Sequence, residues 1–496
     1  MRNYIGILLI VFLPLIAWSQ HENELENLRK QRDDFKRQRA AQFQAYKDSL
    51  NKEFAKMMEQ KWEDYQVFVG NRRPSKPEPS QLPVAPKDSS VKSPEELPIN
   101  QIIPAEKPIA PVIEDELEET QKAQEDTRAP QLYKNVDVNF YMEKIHFDVP
   151  AQYESLLLGG LSEKSVAKFW SDLADGDYNE CVLQLKKQRQ TMHLNDWALY
   201  DMAIAMAGET FVKRYAEQTI FAVFVLNQLG LEAKVGKSDN QLVVLMPAKT
   251  VIYAVSYVLF ENTPYYIFSC YPKEQRSMAA ISTYSVSFPN PTMPLDLNIY
   301  EPIHFVRQPS AVTYSSDFWG DAVPFQINQN AIDFYSRYPQ VDIVFYANAE
   351  MSDELKVWAD KQIKPFLKDL DEYEAVNVLL YFVQTEFEYA SDLDQFGYEK
   401  PFFCEENFYY AKNDCEDRAI LFSYLVRNLV GAKIVLLDYP DHLATAVSLK
   451  DDSIKGDYYM VDGHKFFVCD PTYIGANIGE TMPQYRKTKA DIIVLK

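Results

Sequence analysis

The chain is 496 residues long, 47% hydrophobic and 14% aromatic, with a formal net charge of −21. That apolar content is enough for two or three cores, so several domains are expected. The acidic balance repels phosphate backbones and argues against nucleic acid or anionic lipid as a partner.

Residues 1–20 read as a secretory signal peptide. Arg2 supplies the positive start, Ile5 to Trp18 an uncharged and mostly apolar run, and Ala17, Ser19 and Gln20 a cleavage region. The run is short for a membrane span, and an uncleaved anchor is the alternative. No other long apolar stretch occurs in the chain. The expectation is a secreted or periplasmic protein of the bacterial cell envelope, with no membrane insertion after signal cleavage.

Residues 21–70 carry Leu25, Leu28, Phe35, Phe43, Tyr46, Leu50, Phe54, Met57 and Trp62 at spacings near three, four and seven. This pattern predicts an amphipathic or coiled-coil-like helix. It reads equally as a surface for self-association or a partner protein and as a helix packed on its own chain. Residues 71–130 hold eleven of the 28 prolines and no glycine. They read as an extended spacer that keeps the helix away from the globular part of the chain.

From 131 the sequence turns globular. Helical patterns run through 151–230, and strands are predicted at 241–247, 251–260 and 264–270, giving an α+β domain over 131–275. Residues 276–350 read as β-rich, with Pro-marked turns. Helix returns over 352–385, within a last domain at 351–496.

That domain carries the chemistry. Asn413 or Asp414 caps a helix, and Cys415, Ala419, Phe422, Val426 and Leu429 form one apolar stripe. A helix N-terminus favours thiolate at Cys415, whereas Asp414, Glu416 and Asp417 oppose it, so a nearby histidine is required. His442 opens an alternating strand, with Leu443, Thr445, Val447 and Leu449 on one face and His442, Ala444, Ala446 and Ser448 on the other. The small residues on the histidine face suit close approach of the cysteine helix. A polar turn at 450–457 leads to a strand ending Val468-Cys469-Asp470 before Pro471. A carboxyl at that strand end calls for a partner, and a histidine ring would supply it. Cys415, His442 and Asp470 are therefore the candidate nucleophile, base and orienter. His464 and Asp462 read as surface residues.

The run Asn413 to Ala419, the His442 strand and Asp470-Pro471-Thr472 together resemble the transglutaminase-like superfamily. The resemblance covers roughly 370–475. It implies a papain-like α+β core, in which a helix bearing the cysteine packs on an antiparallel sheet bearing histidine and aspartate. It also implies acyl transfer through a Cys415 thioester, with His442 as base and Asp470 as orienter. The substrate would be an amide of a peptide or protein, with hydrolysis (a cysteine protease) favoured over cross-linking. No cofactor and no metal are implied. A non-catalytic cell-envelope scaffold that keeps the fold is the second reading. A metal site from Cys415, His442, Asp470 and Cys469 is a third, disfavoured because neighbouring strand residues point to opposite faces.

A shift of 199 residues lays Phe268-Ser269-Cys270-Tyr271-Pro272 over Phe467-Val468-Cys469-Asp470-Pro471 and Ala216 over Cys415. Residues 190–275 therefore read either as a degenerate copy without the catalytic groups or as a coincidence of common residues. Five cysteines leave at least one unpaired within the chain.

Overall fold

The computed structural model describes residues 30, 32, 36–39, 41–71, 82–86, 95–105, 133–272, 280–320 and 323–496. The expected signal peptide at 1–20 lies outside them. The described residues form a mixed α+β structure whose two six-stranded sheets are almost wholly antiparallel.

The first sheet runs, edge to edge, Trp62–Gln66, Ala280–Tyr284, Lys234–Ser238, Gln241–Pro247, Thr263–Phe268 and Tyr257–Phe260. The second runs Ile99–Ile103, Ala490–Val494, Lys433–Tyr439, His442–Ser448, His464–Cys469 and Tyr458–Val461. The two share one connectivity. In each, a buried helix (Tyr215–Gln228 or Cys415–Leu425) leads into a tight hairpin, and a second hairpin adds to its far strand. Tight turns are what antiparallel neighbours permit, and they hold the register of each hairpin.

The register relates the two units residue by residue. Ser238 faces Gln241 as Tyr439 faces His442, Val244 faces Phe268 as Thr445 faces Cys469, and Phe260 faces Thr263 as Val461 faces His464. These three strand pairs are thus displaced by 201 residues, not by the 199 suggested by the sequence. The helices begin 200 apart, at Tyr215 and Cys415. The additional residue falls where the cysteine helix ends in the π-turn Val426–Val430 before Gly431, a turn for which the first unit's helix has no counterpart before Gly230. A shift of two leaves every strand residue on its original face, so matching by residue type could not detect the error.

The spacer expectation is corrected on both sides. Helix 41–60 packs on the first unit. Its Phe54 is wholly buried, 5.2 Å from the Trp170 ring and 5.6 Å from Tyr284. Asn51 Oδ1 accepts from Trp170 Nε1 at 3.3 Å and Gln228 Nε2 at 3.2 Å, and its Nδ2 donates to the Tyr178 hydroxyl at 3.2 Å. Trp62–Gln66 then joins the first sheet. The described parts of the proline-rich stretch, 82–86 and 95–105, are extended but bound. Ala85 N donates to Ile474 O at 2.9 Å, Leu97 N donates to Tyr458 O at 2.9 Å, and Ile99–Ile103 pairs in parallel with Ala490–Val494. Pro98 and Pro104 flank that strand, where their missing N–H groups cost the ladder nothing.

The β-rich reading of 276–350 holds only for Ala280–Tyr284 and the pair Pro309–Tyr314 and Phe325–Asn328. Gln329–Tyr335 and Ile343–Asn348 are helices, the first capped by the Asn328 side chain. The predicted helix over 352–385 is three helices, Asp353–Gln362, Lys364–Leu367 and Glu372–Glu386. The last opens with a reciprocal capping box between Asp371 and Glu374.

A docked helix and a free one differ in measurable stability. Phe54→Ala should lower the unfolding free energy of the first unit by about 3–5 kcal/mol in urea titration. Phe43→Ala, on the exposed side of the same helix (59% exposed), should change it by less than about 0.5 kcal/mol.

Candidate active site

The cysteine helix begins with a capping box. Asp414 accepts from Asp417 N, and the Asp417 carboxylate accepts from Asp414 N at 3.2 Å. Asp414 is therefore the cap, and Cys415 is the first helical residue. The expected stripe widens to the full circumference, because every residue from Cys415 to Leu425 is buried. The Cys415 thiol donates to Glu416 Oε2 at 3.0 Å, and the backbone of Leu443 hydrogen-bonds to the sulfur. Burial first, then the charges of Glu416 and Asp414, push this thiol well above its usual range. The helix N-terminus pulls the other way but does not offset them.

His442 Nε2 lies 2.9 Å from Asp470 Oδ2, and the two side chains are 1% and 3% exposed. Asp470 Oδ1 also accepts from Thr472 N at 2.9 Å. The strands that carry them are neighbours, with Thr445 facing Cys469. The structure thus joins two of the three sequence-predicted residues directly. It brings the third to the amide of Leu443, adjacent to the histidine. Among the described residues no hydrogen bond links the sulfur to the ring.

The expected face is corrected. Leu443 and Val447 pack with Cys415, Ala419 and Phe422 on the helix side of the sheet, whereas Ala444 and Ala446 pack on the other side with Tyr459, Val468 and Tyr485. His442 and Asp470 share that second side by strand alternation. The sulfur therefore meets the His442 strand at its open end, past the last residue of the neighbouring strand. Cys469 packs on the helix side, so it and Asp470 do not converge on one ion. His464 follows the turn at Asp462 and Gly463 and is exposed, as expected.

Two other buried polar residues organise the site, and sequence reading missed both. Gln384 Nε2 donates to Asp470 O at 3.1 Å and Ala476 O at 3.0 Å, and its Oε1 accepts from Gly475 N at 3.1 Å. Arg418, wholly buried, donates to Asn413 Oδ1 at 2.9 Å and to the carbonyls of Gln384 at 3.3 Å and Phe387 at 2.7 Å. A glutamine on the buried face of an apolar helix was the available signal for the first. Arg418 carried no such signal, standing after Glu416 and Asp417 at the helix start.

Between helix Glu372–Glu386 and the cysteine helix lies an insert, 387–414, where the first unit has only 211–214. It brings carboxylates to the helix cap. Asp392, Asp414 and Asp417 form one group with ligand atoms within 4.8 Å, and Asp392, Glu399 and Glu416 form another. These are the groups near the sulfur that a cation could use. The Asp417 oxygens already accept from Phe402 N at 2.8 Å and from Asp414 N. Asp392 accepts from Lys400 N, and burial, then the Asp417 charge, push its carboxyl up to about 10.

The first unit lacks this constellation. By the strand register and helix start, Tyr215 stands at the Cys415 position, Gln241 at His442 and Ser269 at Asp470. The backbone of Leu242, the counterpart of Leu443, hydrogen-bonds to the Tyr271 hydroxyl. The Tyr271 ring packs 5.1 Å from Tyr215. A phenol thus occupies the place of the sulfur. None of the five cysteines is in a disulfide.

No known family model matches this sequence, and no curated protein matches it.

Two substitutions test the electrostatics. Glu416→Gln removes a charge beside the sulfur, so the pH midpoint of Cys415 alkylation should fall. The second is Asp392→Asn. Folding raises this carboxyl from 3.8 to about 10, so between those values the folded state holds the extra proton. Its stabilising contribution is full below the unfolded value and is lost as pH rises towards the folded one. Urea unfolding should find Asp392→Asn more stable than the parent at pH 8, with the difference closing towards pH 4.

Proposed function

We propose that this protein is an exported transglutaminase-like cysteine enzyme with a papain-like catalytic core, acting on amides of peptides or proteins through a Cys415 thioester. The observation that carries the reading is the buried His442–Asp470 hydrogen bond at 2.9 Å, with Cys415 at the start of a helix packed on the same histidine strand. Asp470 accepts the hydrogen bond from Nε2–H and leaves Nδ1 as the proton acceptor for the thiol.

In this mechanism His442 removes the Cys415 proton, and the thiolate attacks the amide carbonyl carbon. The oxyanion gains a donor from the Cys415 backbone N–H at the helix start. The C–N bond breaks as His442 gives its proton to the leaving amine. Water, deprotonated by His442, then attacks the thioester, and the C–S bond breaks to restore the thiolate. An amine in place of water would give a cross-link. Hydrolysis is favoured because water is always present in excess.

The resting arrangement demands an opening step. A wholly buried thiol that donates to Glu416 is protonated and shielded, so substrate binding must displace covering residues. The same enclosure favours a second reading, a cell-envelope scaffold that retains the fold without turnover. The first unit, with Tyr271 in the sulfur's place, has already followed that path under this reading.

Incubation of the full chain with a peptide library, with and without a primary amine, separates the two by mass spectrometry. Cleaved or amine-linked products that vanish in Cys415→Ser are expected. Asp470→Asn should lower kcat/KM by about 10²–10⁴. Products that persist in Cys415→Ser would sink the mechanism, and a complete lack of product from the parent would favour the scaffold.

A further inference from the structure

We propose that Tyr485 is a positioning residue for His442, holding the imidazole plane in the orientation that exchanges a proton with Cys415. The inference rests on the acyl-transfer reading above and adds to it a residue outside the triad.

One hydrogen bond at Nε2 does not fix a ring. The imidazole can still rock about the Nε2–Oδ2 line, and among the described residues no hydrogen bond from the sulfur stops it. The remaining restraint comes from aromatic faces. The Tyr485 ring lies 5.2 Å from the His442 ring at an interplanar angle of 18°. Tyr439, from the strand before His442, lies 4.6 Å from Tyr485 at 25°. Its hydroxyl pairs with that of Tyr459 at 2.9 Å. Tyr485 therefore contacts both the imidazole and a second, anchored ring that itself faces the imidazole at 6.3 Å and 8°.

Its polar end is tied to the same turn. The Tyr485 hydroxyl donates to Asp441 Oδ1 at 3.1 Å, and Asp441 immediately precedes His442. The segment that carries Tyr485, 470–489, has no regular helix or strand, so it needs other anchors. At one crossing Gly479 lies against Gly456 so closely that an added Cβ would sit 2.6 Å from the Gly456 backbone. Gly479 N donates to Val468 O at 2.7 Å, and Asp457 N donates to Gly479 O at 2.8 Å. Beyond Tyr485, Arg486 donates to Asp457 at 2.7 Å. The tyrosine is thus held by backbone contacts on one side and an ion pair on the other.

The contact also has an electrostatic side. When His442 takes the thiol proton it becomes imidazolium, and a ring face beside a cation stabilises it. The charged and titratable groups around this ring are Asp470 at Nε2, Asp441 beyond the Tyr485 hydroxyl, Tyr439 and Tyr485 themselves, and Cys415 with Glu416 at the helix start. Two of these face the ring from outside the strands of the dyad, Tyr485 at 5.2 Å and Tyr439 at 6.3 Å, and Tyr485 is the nearer. Its removal should lower the affinity of His442 for a proton by about one pH unit.

The test compares Tyr485→Leu, which loses the ring, with Tyr485→Phe, which keeps it and loses only the hydroxyl. In a Cys415→Ser background, NMR titration of the His442 side chain should show its pKa about one unit lower in Tyr485→Leu than in Tyr485→Phe. With Cys415 present, kcat should fall about tenfold or more in Tyr485→Leu, with KM little changed and the acid limb of the pH profile, which reports the unprotonated base, moved to lower pH. Tyr485→Phe should restore most of that loss. Equal His442 titration in the parent, Tyr485→Leu and Tyr485→Phe, with all three folded by circular dichroism, would overturn the inference. Absence of Cys415-dependent turnover in the parent would instead overturn the acyl-transfer reading, while the titration would still decide the role of Tyr485.

Discussion

The hydrogen bond between His442 and Asp470 is the constraint around which the second unit is arranged. A carboxyl at the end of an apolar strand cannot be enclosed without a donor, and an imidazole on the next strand provides one. Meeting that requirement sets the register of the two strands at that end of the sheet. It also draws in Gln384, whose amide holds the Asp470 carbonyl and the turn after it. The cysteine helix then needs only to lie across the histidine strand for the sulfur to reach its open end. The acidic cap works against ionisation of that sulfur, so at rest it is a thiol hydrogen-bonded to Glu416.

The two six-stranded units show what one backbone plan does with and without these groups. Strand order, hairpins and the preceding helix agree, and the strand register is constant along the whole hairpin set. The differences lie in side chains, in one insert, in the π-turn Val426–Val430 and in the direction of the outermost strand. Where the second unit has a thiol at the amide of residue 443, the first has a phenol at the amide of residue 242. A tyrosine in that place bonds to the amide and packs its ring on Tyr215. The 387–414 insert does the opposite for the second unit. It surrounds the helix start with buried polar groups, at a cost in desolvation that a purely structural unit has no reason to carry.

The local elements of the site were legible because their signals are short-range. A polar cap before Cys415, strict alternation from His442 and a proline stop after Asp470 each depend on a few neighbouring residues. The long-range arrangement was not legible, for physical reasons. Both faces of the histidine strand are buried, so small and large residues on its two sides do not reveal which side meets the helix. Proline content marks extension but is silent on whether an extended segment pairs, and the five residues Ile99–Ile103 are too few to stand out from it. Tyr485 sits in a segment without period, where the turns and a glycine crossing position it. The carboxylates near Cys415 look like a solvated surface in sequence, and only the insert that covers them shows otherwise.

Parallel pairing of Ile99–Ile103 with Ala490–Val494 has one more implication. This short piece of the proline-rich region caps the outermost row of amides and carbonyls of the second sheet. A chain trimmed back to its globular start near 131 would keep every residue of the triad yet leave that row bare. Bare edges recruit strands from other molecules, so the region that looks most dispensable is a guard against clumping. Any shortened version for study should keep it.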